Sequence, residues 1–281
     1  PDERVQRAAA QAVPGDERFL AAREAYRNGE RVKLAAQYNV IGTNPAHDLD
    51  PWIEYWHLRQ HLDDGDSSGI PDFLTRQNGS YLAERLRGDW LKVLGKKQQW
   101  AQFPSEYAQL KQPDTELLCY GLQARYYGQR DATALDDARP LWFGVLDLPE
   151  SCNPLMDRLV VAGSITIGDV WERMRRLLET KRYNGARRAA EYLPGPQIPA
   201  AKVLESIADR PQRHLDRLPA NFAATRQGRE MALFALQRMA RSDPPAAAAR
   251  LQKLIAKFSE NERAYAWGQI AWQGAQRHLP E

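Results

Sequence analysis

AYRNGERVKLAAQY, residues 25–38, decides how this chain is read. Phe19, Ala22 and Tyr26 lead into it at the i, i+3, i+7 spacing of one helix face, and Asn28-Gly29 then stops that helix. A second helical run begins directly afterwards. Similar joints recur in RLRGDWLKVLG (85–95), RYYGQRDATALDDA (125–138) and RYNGARRAAEYL (182–193). In each, glycine is expected to take the left-handed backbone that ends one helix and lets its antiparallel partner begin, placing the turns at Gly29, Gly88, Gly128 and Gly185. Their spacing is irregular, unlike the period of about 34 residues in a tetratricopeptide array.

Further stripes occur at Trp171, Met174 and Leu178, and at Leu251, Leu254, Ile255 and Phe258, the latter entered through Asp243-Pro244-Pro245. Proline in a first helical turn costs little, since its missing N–H would be unpaired there anyway. No convincing strand pattern appears. The expectation is an all-α, irregular solenoid of short antiparallel helix pairs. LPGPQIP (193–199) is the best candidate for a domain boundary, but no linker is long enough to force one.

The 39 Lys and Arg residues barely outnumber the 36 Asp and Glu, for a net charge of +3. A nucleic-acid partner is not expected from so balanced a chain. No run of about 18 apolar residues suggests a membrane span. The eight Trp and eleven Tyr suit helix interfaces and also the stacking of sugar rings.

Chemistry-bearing motifs are sparse. His57 and His61 lie at i, i+4 with Glu54 a turn earlier, a spacing that offers ligands to zinc. HLRQH lacks the Glu of a metalloprotease helix, so a half-exposed helix face is the simpler reading and no metal site is expected. Asp64, Asp66, Ser68 and Gly69 imitate the start of a calcium loop, but Thr75 stands where the closing bidentate Glu belongs. Trp52, Tyr55 and Trp56 form either a core cluster or a sugar-stacking platform. Arg173, Arg175 and Arg176, followed by Arg187 and Arg188, either bind carboxylates or phosphates or face solvent on two successive helices. Cys119 and Cys152 flank a helical segment at about Leu135–Leu146. They are either two unrelated buried thiols or the ends of a bridge across a helical hairpin.

DLDPWIEYWHLRQHL (48–62), LTRQNGSYLAERLRGDWLKVLGKKQQWAQF (74–103) and LLCYGLQARYYGQRDATALDDARPLWFGVLDLPESCNPL (117–155) together resemble the soluble lytic transglycosylases of Gram-negative bacteria. The Leu141-Trp142 pair, the Cys-Asn-Pro-Leu turn at Cys152 and the PWIEYW segment carry the specific part of the likeness, which spans roughly residues 16–275 and thins after about residue 200.

The resemblance implies a U-shaped superhelical domain, a Cys119–Cys152 disulfide and hence a periplasmic location. It implies an enzyme of murein turnover, a carbon–oxygen lyase that opens the MurNAc–GlcNAc β-1,4 bond and leaves 1,6-anhydromuramic ends. The family's acid–base Glu sits in a separate lysozyme-like domain whose motifs are missing from these 281 residues. Residues 1–281 are therefore expected to be the superhelical domain alone, incomplete at its C-terminal end. No catalytic residue and no cofactor are expected in it. Expected partners are glycan strands, the protein's own catalytic domain and other cell-wall enzymes, with Arg173, Arg175, Arg176, Arg187 and Arg188 as candidate peptidoglycan contacts. The alternative is a non-enzymatic solenoid scaffold for extended peptides or protein partners.

Overall fold

A computed structural model describes residues 15–42 and 47–279. Among them there are sixteen α-helices, a few 3-10 or π turns, and no strand. The chain divides into two compact units. The first comprises residues up to Asp137 together with Pro149–Leu155, and the second comprises Ala138–Leu148 and the residues from Met156 onward. LPGPQIP lies inside the second unit, where Gly195–Gln197 forms a 3-10 turn.

In the first unit, α1 (Asp16–Arg27), α2 (Arg31–Tyr38), α3 (Asp50–Asp63), α4 (Ile70–Arg76), α5 (Tyr81–Lys96), α6 (Phe103–Tyr107) and α7 (Thr115–Gln123) follow one another. Helices pack on their sequence neighbours and on the next but one, as α1, α3, α5 and α7 do in turn. This near-neighbour packing is the mark of a solenoid-like array. Trp56 is buried at the centre of the first layers, 5.4 Å from the Phe19 ring and 5.6 Å from Tyr26. Tyr55 is buried beside it while Trp52 stays half-exposed, so the aromatic cluster is mainly core.

Two helix starts in the first unit are fixed by side-chain caps. Ser80 accepts the Ala83 N–H to open α5, and Asp114 accepts the Leu117 N–H to open α7. The π turn Ala124–Gly128 then leads to α8 (Ala134–Gly144) and α9 (Asn153–Val161). Gln123 donates to the Ser151 carbonyl at 2.5 Å and Ser151 to that of Glu116. Against this frame Cys119 and Cys152 are joined, both fully buried, with Cα atoms 5.0 Å apart.

The second unit contains α10 (Ile167–Glu179), α11 (Tyr183–Ala190), α12 (Ala201–Asp209), α13 (Pro211–Asp216), α14 (Arg226–Ala240), α15 (Pro244–Leu254) and α16 (Glu260–Gln276). α14 is buried along most of its length and packs on α10, α12, α13, α15 and α16. The third stripe does not stay on one helix, since α15 ends at Leu254 and Ile255–Lys257 is a 3-10 turn. Leu251 and Phe258 are still buried.

Three glycine joints need correction: Gly128 closes the π turn Ala124–Gly128 without a left-handed backbone, and two others lie within helices. Gly29 does turn the chain, at φ +70°. Gly88 and Gly185, however, lie inside α5 and α11. The left-handed residues near the other joints are Gln98, Arg130 and Lys181. Burial explains the shift for Gly88: flanking Leu86, Arg87, Trp90 and Leu91 are all buried, and helix packing outweighs glycine's local preference.

The two glycines of α5 give opposite expectations. A Cβ on Gly88 would meet its nearest atom, Leu117 Cδ1, at an ordinary 3.6 Å. Gly88→Ala should therefore stabilise the protein by about 0.5–1 kcal/mol through backbone entropy. A Cβ on Gly95 would fall 2.3 Å from Tyr120 Cγ, where α5 crosses α7. Gly95→Ala should cost about 1–3 kcal/mol by overpacking. Urea midpoints of the two variants measure both signs.

Candidate functional site

The arginine run of α10 leads to a polar concavity of the second unit. α10 starts from a capping box in which Thr166 accepts the Asp169 N–H and Asp169 accepts the Thr166 N–H. Its buried face holds Val170, Trp171, Met174, Leu177 and Leu178. α16 begins from a second box, Ser259 with Glu262. These starts set the register of the charged residues along both helices. Together with Arg226 they line a cleft of about 690 Å³ containing Glu172, Arg175, Arg176, Glu179, Glu262 and Tyr265.

A buried carboxylate holds two of the cleft's arginines. Glu230 of α14, its side chain 2 % exposed, receives Arg175 Nε at 2.6 Å, Arg175 Nη2 at 2.9 Å and Arg226 Nε at 2.5 Å. The Arg175 guanidinium also lies 4.7 Å from the centre of the Tyr265 ring. Tyr265 donates its hydroxyl to Glu179 at 2.7 Å. Burial, reinforced by the Glu179 charge, pushes that phenol well above its ordinary value, so it stays protonated. Burial would raise the Glu262 carboxyl, but the Ser259 N–H and the Arg229 guanidinium at 2.9 Å hold it below the usual range. Such a carboxylate suits an ion pair rather than proton donation.

Because the folded pKa of Glu262 is depressed, its stabilising effect is present above the ordinary glutamate range and lost as pH falls through the folded value. The difference in urea midpoint between the natural chain and Glu262→Gln should therefore be largest near neutrality and shrink on acidification.

The other arginines divide by environment. Arg173 is buried, donates to the carbonyls of Trp142 and Leu146, and lies 4.8 Å from the Trp142 ring centre. Burial and the neighbouring Arg176 charge lower it to about 10, and it remains a cation at neutral pH. Arg176 bonds the Phe143 carbonyl and is half-buried at the cleft. Arg187 and Arg188 are exposed on α11. The solvent-facing reading of the run thus fits Arg187 and Arg188 and does not fit Arg173. Glu230, Glu262 and Tyr265 escaped sequence reasoning; they sit on α14 and α16, and no local pattern links them to α10.

The remaining motifs resolve as structure. Glu54 takes a two-pronged bond from Arg76, and the His57 ring stacks on Tyr38 at 3.9 Å. Asp64 pairs with Arg31, and Asp66 accepts the Ser68 N–H in a local turn. No described helix is long and apolar enough to cross a membrane.

The class defined here is an all-α array of short helices carrying a mixed-charge cleft. No family model and no curated protein sequence matches the chain. Solved structures do. A 70-kDa soluble lytic transglycosylase in complex with bulgecin A is 20 % identical over 92 % of the chain, with a TM-score of 0.61. An inactive variant of the lytic transglycosylase Slt from Pseudomonas aeruginosa is 23 % identical over 94 %, with a TM-score of 0.62. The 70-kDa soluble lytic transglycosylase of Escherichia coli is 20 % identical over 92 %, also at 0.62. The chain spans 41–42 % of the length of these structures. It shares its fold with part of the soluble lytic transglycosylases.

Proposed function

We propose that this chain is a non-catalytic helical portion of a periplasmic peptidoglycan lytic transglycosylase. The fold likeness over more than nine-tenths of the chain carries the reading. The buried Cys119–Cys152 bridge supports it, because stable disulfides belong to oxidising compartments. The whole enzyme opens the MurNAc–GlcNAc β-1,4 bond without water. The muramic 6-hydroxyl closes on its own C1 as the C1–O4 bond breaks. One carboxyl outside these residues protonates the departing O4 and accepts the proton of the 6-hydroxyl. The helical array acts by shape, forming with the catalytic domain a ring that admits and holds glycan strands. Arg176, Arg187 and Arg188 contact stem-peptide carboxylates, with Arg175 set behind them by Glu230.

Incubation of the purified chain with peptidoglycan sacculi tests this directly. The expected result is retention on the sacculi with no release of anhydromuropeptides, and weaker retention after charge reversal at Arg176, Arg187 and Arg188. Release of anhydromuropeptides by the pure chain would overturn the placement of the catalytic carboxyl. Loss of all retention by the unaltered chain would overturn the peptidoglycan contact.

A further inference from the structure

The seam between α3 and α5 carries a second feature, outside the charged cleft and at the edge of the core. Three side-chain pairs cross it in the same order along both helices, which shows that the helices run parallel. The Trp52 and Tyr81 rings lie 6.2 Å apart at 44°. The Arg85 guanidinium lies 5.5 Å from the centre of the Tyr55 ring. Arg59 Nε stands 3.4 Å from Asp89 Oδ2, and Tyr55 donates to the same oxygen at 2.9 Å. On α5 the positions Tyr81, Arg85 and Asp89 recur every four residues and so share one face.

A single exposed aromatic is ordinary on a protein surface. Tyr81 differs in being 66 % exposed while held in place, with Trp52 beside its ring and Arg85 Nη1 donating to its hydroxyl at 3.2 Å. Arg85 is itself steadied by the buried Tyr55. An ordered ring standing in water is suited to receive the apolar C–H face of a sugar, whose slightly positive hydrogens meet the negative face of the ring. Beyond the ring, Arg85 and Arg59 supply donors and Asp89 an acceptor, the groups that sugar hydroxyls and acetamido groups need. By helix rise the strip from Tyr81 to Asp89 is about 12 Å long, room for two or three linked pyranoses. A peptide that binds by adding a strand needs free backbone groups at a sheet edge, and a seam between two helices offers none.

We propose that this seam is a carbohydrate-stacking site that takes a β-1,4-linked chain of N-acetylated pyranoses. One sugar lies on Tyr81 beside Trp52, and the next reach Arg85, Arg59 and Asp89. The choice of N-acetylhexosamines rests on the peptidoglycan reading above; the existence of a sugar site at the seam does not.

The test is titration of the intact, isotopically labelled chain with tetra-N-acetylchitotetraose, followed by amide and indole NMR shifts, with maltotetraose as a second arm. Shifts should concentrate at Trp52, Tyr81 and Arg85. Tyr81→Ala should weaken binding about tenfold, the size of one lost stacking contact. Tyr81→Phe, which keeps the ring, should bind within about twofold of the natural chain, and Arg85→Met should bind several-fold more weakly. Tyr81 lies at the exposed start of its helix, and a circular dichroism spectrum confirms that each variant folds. Shifts confined to other residues, or unchanged binding by Tyr81→Ala, overturn the site even if sacculi still retain the chain. Binding of maltotetraose alone at the seam keeps the sugar site and counts against the peptidoglycan reading. Shifts at these residues with an extended peptide and with neither sugar overturn the proposal.

Discussion

Glu230→Gln is expected to cost about 3–5 kcal/mol of stability, because it breaks a buried ion pair by removing one partner. The Glu230 side chain is 2 % exposed and takes three guanidinium bonds, two of them from Arg175. Gln is nearly the same size, so no cavity opens, but the negative charge disappears. Arg175, with its side chain 18 % exposed, then keeps a largely desolvated cation against the Tyr265 ring and loses its one bonded carboxylate. The Arg226 bond adds little, because that side chain is 38 % exposed and water screens it. The measurement is a shift of the urea midpoint at unchanged slope. A paired Arg175→Met, Glu230→Leu chain should recover most of the loss, since it removes both charges together. A loss below about 1 kcal/mol for Glu230→Gln would show that solvent screens the pair as it does a surface ion pair.

Removing the disulfide is the second large effect. Cys119→Ala with Cys152→Ala should destabilise the chain by about 3–4 kcal/mol in the chain-entropy model, given a sequence separation of 33 residues. α8 and the turns around it lie within that loop, so the unfolded chain regains the freedom of a whole helical hairpin. Both sulfurs are fully buried, so a reductant reaches them only when the surrounding structure opens. Reduction of the native protein should accordingly be slow and quicken in step with unfolding as urea is added. Fast reduction of the folded chain, or an unchanged midpoint in the double variant, would contradict the buried bridge.

The helical fold was readable from local patterns. The stripes at Phe19–Tyr26 and Trp171–Leu178 mark α1 and α10 because a helix buries one face at a fixed period. Gly29 was legible for the same reason, being a turn whose backbone favours glycine. Gly88 and Gly185 misled because the same residue serves two purposes. In a helix interior a glycine admits a close neighbour, and the sequence around Gly95 holds no sign that Tyr120 will stand 2.3 Å from the missing Cβ. The arginine run was visible as composition, but its division was not. Arg173 differs from Arg187 only through what packs over it, namely the carbonyls of Trp142 and Leu146.

What the sequence determined alone is local: that the chain is helical, where several helices start and stop, and which faces are apolar. These follow from propensity, capping and period, which act within a few residues. Only the tertiary structure decided which charges are buried, that Glu230 joins Arg175, and that Trp52, Arg59, Tyr81 and Asp89 line one seam. Those relations depend on the register of helices far apart in the chain, and register is set by the packing of whole helices against one another.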